Sequence, residues 1–588
     1  MKKTELLAEF DIKAAALKKF VFDDPYIEES TSDYKINTLF KSSVVFISVT
    51  DGNDRAAVFN CAAPTLESAW DGACALAKKY VGDSKTFPLW LKTDILNDCK
   101  ITDYSAVRQE IRKSRDFYYK KGISFDVDFY TALLEAQLNC GGLIDYNAKA
   151  LNLRRLREHF SDAGNDMFVS IPEQVVTFTT IGYICDEDMN TYKLYPDEEN
   201  YGRRVTGEIT SALLQDVIAK SSAYLSACVD ENGRFDYGVN PVINDHFTSY
   251  NILRHTGTVW SIIMQYQTTG DETLVPKIDS ALEYMMNSVE QPDDDHAYLV
   301  ERKADEIKLG GNAIMIITLS TYMDVFGGDK YKELIRKAAN SILDMQEEDG
   351  SYFHVLSFPD YARKDRDRIV YYDGEATFAL ARAYGIIGDE KYLDGARKAL
   401  DYFIANGYTR YADHWIAYSI NEVTLHDPQE RYLNFGLKNA NDNLNRIFNQ
   451  DTTFHTFLEL LMATFELYSR IKEQKLSPSY LSKFNFDYFM RTIFRRIHYM
   501  LNGFLYPEIA MYMKYPLGTV NTFCVRHDSY RVRIDDVQHY IGGYFSAYKH
   551  FDELKEYYDK LVQQAVVREE DKQADDRAEF VKWILDNI

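Results

Sequence analysis

The hydrophobic pattern of the chain changes once, near residue 205. Before that point several apolar stretches are short unbroken runs: Ser43 to Thr50 reads SVVFISVT and Gln174 to Ile184 reads QVVTFTTIGYI, both strand-like. Asp51-Gly52-Asn53-Asp54 has the composition of a hairpin turn, with Arg55 to Cys61 as its return strand. Leu66 to Val81, Tyr104 to Tyr119 and Asp128 to Leu138 carry apolar residues at helical spacing instead. Residues 1–204 therefore read as a smaller α+β domain, with a boundary in the polar stretch Tyr195 to Gly207. This region has no glycine-rich phosphate loop and no nucleophile elbow.

From residue 205 to 588 the pattern is helix after helix, with regular punctuation. Polar starts fall near His255, Gly311, Gly374, His414, His455 and Asp535, at intervals of between 40 and 80 residues. Each is followed by a helix, a turn, a return helix and a loop back to the same end. Helices Glu208 to Cys228 and Glu553 to Val567 flank the array and could complete a hairpin, so the pattern predicts closure into a ring. The turns read TGDE at Thr269, GGDK at Gly327 and GDEK at Gly388, and the loops DENGRF at Asp230 and EEDGSYF at Glu347. In these repeated features the chain resembles the six-hairpin glycosidase-like (α/α)6 toroids over about residues 206–565. That resemblance implies a helical-hairpin toroid after the α+β domain, and a carbohydrate substrate. It leaves hydrolase, lyase, epimerase and cyclase chemistries open.

If alternate helices line the ring, the polar starts converge on one face. The clearest is Ile369 to Ile387, IVYYDGEATFALARAYGII, where an apolar run delivers Tyr372, Asp373 and Glu375 to the mouth of a helix. Hydrolysis of a glycosidic bond is the expected reaction, ahead of epimerisation or elimination, and it needs two facing carboxyl groups, one protonated and one ionised. The candidates are Asp373, Glu375, Asp413, Asp535 and Asp536, with Asp373 and Asp535 as the first pair. His255 and Tyr372 are candidate proton-transfer groups for an epimerase or lyase.

Candidate substrate-binding residues at the same starts are Tyr250, Asn251, Arg254, Asn312, His414, Trp415, His455, Arg526, His527, Arg531, Arg533 and His539. The arginines suit bidentate contact with a carboxylate, so an anionic, uronic-acid-like small molecule or oligosaccharide is the expected ligand. Asp535 and His539 lie four apart and would share a helix face, but no second half-site accompanies them, so neither a metal nor another cofactor is expected. A non-catalytic ring that binds a glycan or peptide is the reading from a different class. An isoprenoid site would want aromatics and a single acid rather than Arg, His and Asp together.

Composition narrows the picture further. The formal charge is −23 over 588 residues, which argues against nucleic-acid and anionic-membrane partners. Seven scattered cysteines without C-x-x-C spacing, and an N-terminus interrupted by Glu5, Glu9 and Asp11, fit a reduced cytoplasmic protein without a secretory leader. No stretch of about 18 uninterrupted apolar residues is present, so no membrane span is expected.

Overall fold

The computed structural model describes residues 2–30, 43–162, 170–196, 199–365 and 369–570. In the N-terminal region helices α1 (Lys3–Phe22) and α2 (Leu66–Ser84) cover one antiparallel sheet. Its strands are β1 (Ser43–Thr50), β2 (Ala57–Ala63), β3 (Trp90–Asp103), β4 (Gly122–Ser124), β5 (Ala132–Leu133), β6 (Gln174–Cys185) and β7 (Thr191–Lys193). The order is β2-β1-β3-β6-β4-β5, with β7 also paired to β6. Register is set with Val45 opposite Cys61 on one side and Ile95 on the other.

The unbroken run in β1 follows from burial on both faces. Val45, Ile47 and Val49 pack with Leu6, Phe10 and Leu17 of α1 and with Trp70 of α2. Val44 and Phe46 point the other way, into a core that continues through Trp90 and Phe178 into the C-terminal helices. The sheet is thus sandwiched, and the change of pattern near residue 205 is not a break in the core.

Two predicted elements differ from the structure. The helix starting at Tyr104 ends at Lys113, and 128–138 is largely not helical. Asp126 accepts the main-chain N–H groups of Asp128, Tyr130 and Thr131 and ties that stretch into a loop before the short helix Glu135–Cys140. Strand β3 escapes the pattern because its run contains Lys92 and Asp94, which are buried as an ion pair at 2.6 Å.

The longer helices after residue 205 are α3 (Ser211–Ala227), α4 (Ile252–Thr269), α5 (Val275–Met286), α6 (Leu309–Phe326), α7 (Lys332–Asp344), α8 (Ile369–Ile387) and α9 (Glu390–Ala405). They continue with α10 (His414–His426), α11 (Glu430–Asn441), α12 (Thr456–Glu473), α13 (Phe486–Met500), α14 (Ile534–Lys549) and α15 (Phe551–Glu570). The even-numbered helices from α4 to α14 form a closed circuit: α4 packs on α6, α6 on α8, α8 on α10, α10 on α12, α12 on α14, and α14 back on α4. The odd-numbered helices α3 to α13 lie outside them. α3 bridges α14 and α4, α7 bridges α6 and α8, and α11 bridges α10 and α12. The chain therefore folds as an (α/α)6 toroid, with α3 as the sixth outer helix and α15 an addition against α13 and α14.

Close approach of inner helices relies on glycine. A Cβ on Gly374 of α8 would lie 2.6 Å from the Ile416 nitrogen and 2.7 Å from the Trp415 carbonyl carbon of α10. Helix α6 is long and apolar enough to cross a membrane, although no span was expected from the sequence. Here it is an inner helix of the ring, with Ala313 to Ile317 essentially inaccessible. All seven cysteines are free thiols.

Buried polar contacts join the ring to the sheet region. Arg204 meets Glu508 through a bidentate pair, and Arg526 sits 3.2 Å from Asp116 and over the Tyr118 ring.

Candidate active site

Contacts join the starts of several neighbouring inner helices: α6 with α8, α8 with α10, α10 with α12, and α14 with α4. At α8, Val370 (ψ 123°) and Tyr371 (φ 87°) are not helical, and the helical path proper begins at Tyr372. The Tyr371 N–H donates to Asp413 Oδ2 at 2.8 Å, while Asp413 Oδ1 caps α10 by accepting the Trp415 N–H at 3.0 Å. Burial pushes the Asp413 carboxyl up to about 7 against the pull of these two bonds. Glu375 and Tyr372 lie against the start of α6. A Cβ on Gly310 would be 2.2 Å from Glu375 Oε2 and 2.6 Å from Tyr372 Cδ1.

At α14 the two adjacent carboxylates are held by arginines. Asp535 is gripped by Arg533 and, at 2.8 Å, by Arg254 from α4. Asp536 accepts two bonds from Arg531, at 2.8 and 3.0 Å. Burial works to raise the Asp535 pKa, but Arg533 and Arg254 hold it below the usual value. Asp536 is raised, first by burial and then by the charge of Asp535. The three guanidinium side chains remain partly open, at 31% for Arg254, 24% for Arg531 and 19% for Arg533.

Between these edges lies a histidine cluster around Glu459 of α12. Glu459 accepts from His539 Nδ1 at 2.9 Å and from the Tyr418 hydroxyl at 3.1 Å. His414 Nε2 is 3.7 Å from the same carboxylate. His414 is buried, and neither ring nitrogen has a hydrogen-bond partner among the described residues. Its ring meets His539 edge-on at 4.9 Å, and His455 stacks on His539 at 5.3 Å. Trp415 extends the cluster to Trp260 of α4 and Phe378 of α8.

Burial keeps His414 and His455 well below the ordinary histidine range, so both are neutral near pH 7. Burial acts on His539 in the same direction, but the carboxylates of Glu459, Asp535 and Asp536 prevail and raise it. Burial also raises Glu459 itself. The site therefore holds two neutral imidazoles beside one that favours its protonated form. His414, Glu459 and His539 also offer three ligand atoms within 4.8 Å of one another, a donor set that suits a zinc-like divalent cation. This differs from the Asp535/His539 pair weighed from spacing, because both Asp535 oxygens are engaged by arginines.

Several sequence candidates occupy other positions. His255 is inaccessible: Nε2 donates to the Ala281 carbonyl at 2.8 Å, so Nδ1 is the acceptor for the Tyr250 hydroxyl at 2.7 Å. Burial lowers it to about 4, and it fastens α4 to α5 rather than serving as an acid or base. Asn251 caps α4, and Asn312 is buried holding the Leu299 N–H at 2.7 Å. Asp373 binds His354 at 2.8 Å and Tyr408 at 2.9 Å, partners from loops behind α8, so both its oxygens are occupied away from Asp535. Arg526 is the domain clamp described above, and His527 is a half-buried neighbour of it, its pKa lowered by burial.

Glu459, Tyr418, Trp260 and Glu301 were not singled out from the sequence. Glu301 accepts the Ile252 N–H at the mouth of α4 at 3.0 Å, and burial raises its pKa. Glu459 did leave a signal: it is the lone acid in the apolar run Phe457 to Phe465, four residues after His455.

No family model matches the sequence, and no curated protein matches it. Solved structures similar in outline include a D-mannose isomerase, 12% identical, covering 58% of this chain and 98% of that one, with TM-score 0.44. A cellobiose 2-epimerase from Bacillus thermoamylovorans B4167 is 10% identical, covers 58% and 100%, and also scores 0.44. A GH76 α-mannanase of Bacteroides thetaiotaomicron is 12% identical, covers 59% and 100%, and scores 0.40. The toroid assignment rests on the closed circuit of inner helices.

Proposed function

We propose that the protein is a carbohydrate-active enzyme that moves a proton at a carbon next to a sugar carbonyl, as an epimerase or isomerase does. One observation carries this reading: buried His414, with no hydrogen-bond partner among the described residues and Asp413 Oδ1 3.5 Å away, faces the Glu459–His539 pair. A neutral imidazole can take the carbon-bound proton, and the electron pair then moves into the carbonyl to give an enediolate. An imidazolium of raised pKa can return a proton to carbon or oxygen. His414 suits the first role and His539 the second. Arg254, Arg531 and Arg533 would stabilise the developing oxyanion and favour a carboxylated or oxygen-rich substrate.

Hydrolysis by paired carboxylates is the second reading, favoured by the raised Asp536 beside the lowered Asp535. It would require Asp536 to leave its bidentate arginine.

The test is incubation in D2O with aldoses, disaccharides and uronates, read by mass spectrometry. Incorporation of one deuterium on carbon is expected, with His414→Ala and His539→Ala each lowering it at least 100-fold while the fold is retained. Cleavage of a glycoside without deuterium uptake would replace this reading with hydrolysis. Binding of a sugar with neither reaction would leave a non-catalytic ring.

A further inference from the structure

A concave site lies where the sheet region meets the toroid. It is a cleft of about 920 Å3 whose lining includes Arg55, Arg154, Arg155, Phe59, Tyr80 and Lys514. That volume falls in the range of small-molecule sites. Two of its four cations are neutralised locally: Lys514 pairs with Asp54 at 2.9 Å, and Arg154 faces Glu158 at 3.9 Å. Arg55 and Arg155 have no carboxylate partner among the described residues.

Their side chains are held by main-chain carbonyls instead. Arg55 Nη2 donates to Val242 O, and Arg155 Nη1 donates to Gly142 O at 3.0 Å. Those two anchors are themselves in contact: a Cβ on Gly142 (φ +70°) would lie 2.6 Å from Val242 Cγ1 and 2.2 Å from Arg155 Nη1. Two guanidinium groups are thereby brought together, and Arg55 Nε is buried with no hydrogen-bond partner among the described residues. Burial lowers the Arg55 pKa; the nearby charge of Asp54 opposes this, and the charge of Arg155 adds to it. In a protein of net charge −23, this is a local excess of positive charge. Beside it, Phe59 and Tyr80 form a ring pair with centroids 5.3 Å apart.

We propose that this cleft binds a small anionic metabolite. Its phosphate or carboxylate group lies between Arg55 and Arg155, and its organic body lies against Phe59 and Tyr80. The guanidinium donors match either anion. Because Val242 belongs to the toroid and Arg55 to the sheet region, occupancy also ties the two together.

The experiment is titration calorimetry of the full chain with inorganic pyrophosphate, glucose 6-phosphate and citrate. Saturable binding of at least one probe is expected, and the preferred probe distinguishes phosphate from carboxylate. Arg155→Gln should weaken that binding at least 10-fold, while Arg155→Lys restores part of it and Arg154→Gln has a smaller effect. Turnover at the ring centre should be unchanged in Arg155→Gln, which separates this site from the proposed catalytic one. No binding of any of the three probes, or equal affinity in wild type and Arg155→Gln, would overturn the proposal.

Discussion

Replacing Glu459 with Gln removes one negative charge from the ring centre and keeps almost the same shape. Gln can still accept the Tyr418 hydroxyl and lie beside His539, so the substitution isolates the charge. A hydrogen bond to a charged group contributes about 1.5–3 kcal/mol, so Glu459→Gln should cost about 2 kcal/mol at pH 6.5. On a ring of this size that is roughly 2–4 °C in Tm.

The pH dependence gives the sharper test. With Glu459 present, the His539 pKa is raised above its unfolded value of 6.5. The native state then holds a proton that the unfolded chain has released, so this contribution is full below pH 6.5 and is lost as pH rises through the folded value. In the variant only burial and more distant charges act on His539, and that source of loss disappears. The stability penalty of Glu459→Gln should therefore shrink between pH 6.5 and pH 9, where the wild type keeps a buried carboxylate without its imidazolium. Thermal melts of both proteins across that range measure the difference. A penalty that stays constant or grows with pH would refute the charge coupling between Glu459 and His539.

Asp413→Asn should gain on the wild type as pH rises. The Asp413 carboxyl is raised from 3.8 to about 7 in the fold, so its ionisation drains stability between those values, whereas Asn does not titrate. Melts at pH 5 and pH 8 should show the variant improving relative to wild type by the higher pH. Gly374→Ala drives a Cβ into the α10 backbone and should destabilise by about 1–3 kcal/mol. Gly385→Ala, in the same helix with its nearest neighbour at 3.5 Å, should instead stabilise by about 0.5–1 kcal/mol, and denaturant midpoints compare the two.

The ring was legible in the sequence because its signals are local. Polar residues start each inner helix, apolar residues recur at helical spacing, and Gly-Asp turns end the hairpins. Thus the starts read near 414, 455 and 535 coincide with helices at His414, Thr456 and Ile534. Strand β1 was legible for the same reason, since burial on both faces leaves an unbroken apolar run. Strand β3 was not, because Lys92 and Asp94, paired two residues apart on one strand, look solvent-exposed until the elements that bury that strand are known.

The site divides along the same line. Sequence placed carboxylates, arginines and histidines at helix mouths, and the structure gathers Arg254, Arg531, Arg533, Asp535, Asp536, His414, His455 and His539 around one centre. Tertiary structure alone decided what each could do. Asp373 and Asp535 were equivalent as helix-start acids, yet one is held by His354 and Tyr408 and the other by two arginines. His255 and His414 look alike in the chain, but His255 has both nitrogens hydrogen-bonded while His414, among the described residues, has neither. Periodicity is written residue by residue, whereas a side chain's burial and partners depend on elements far apart in the chain.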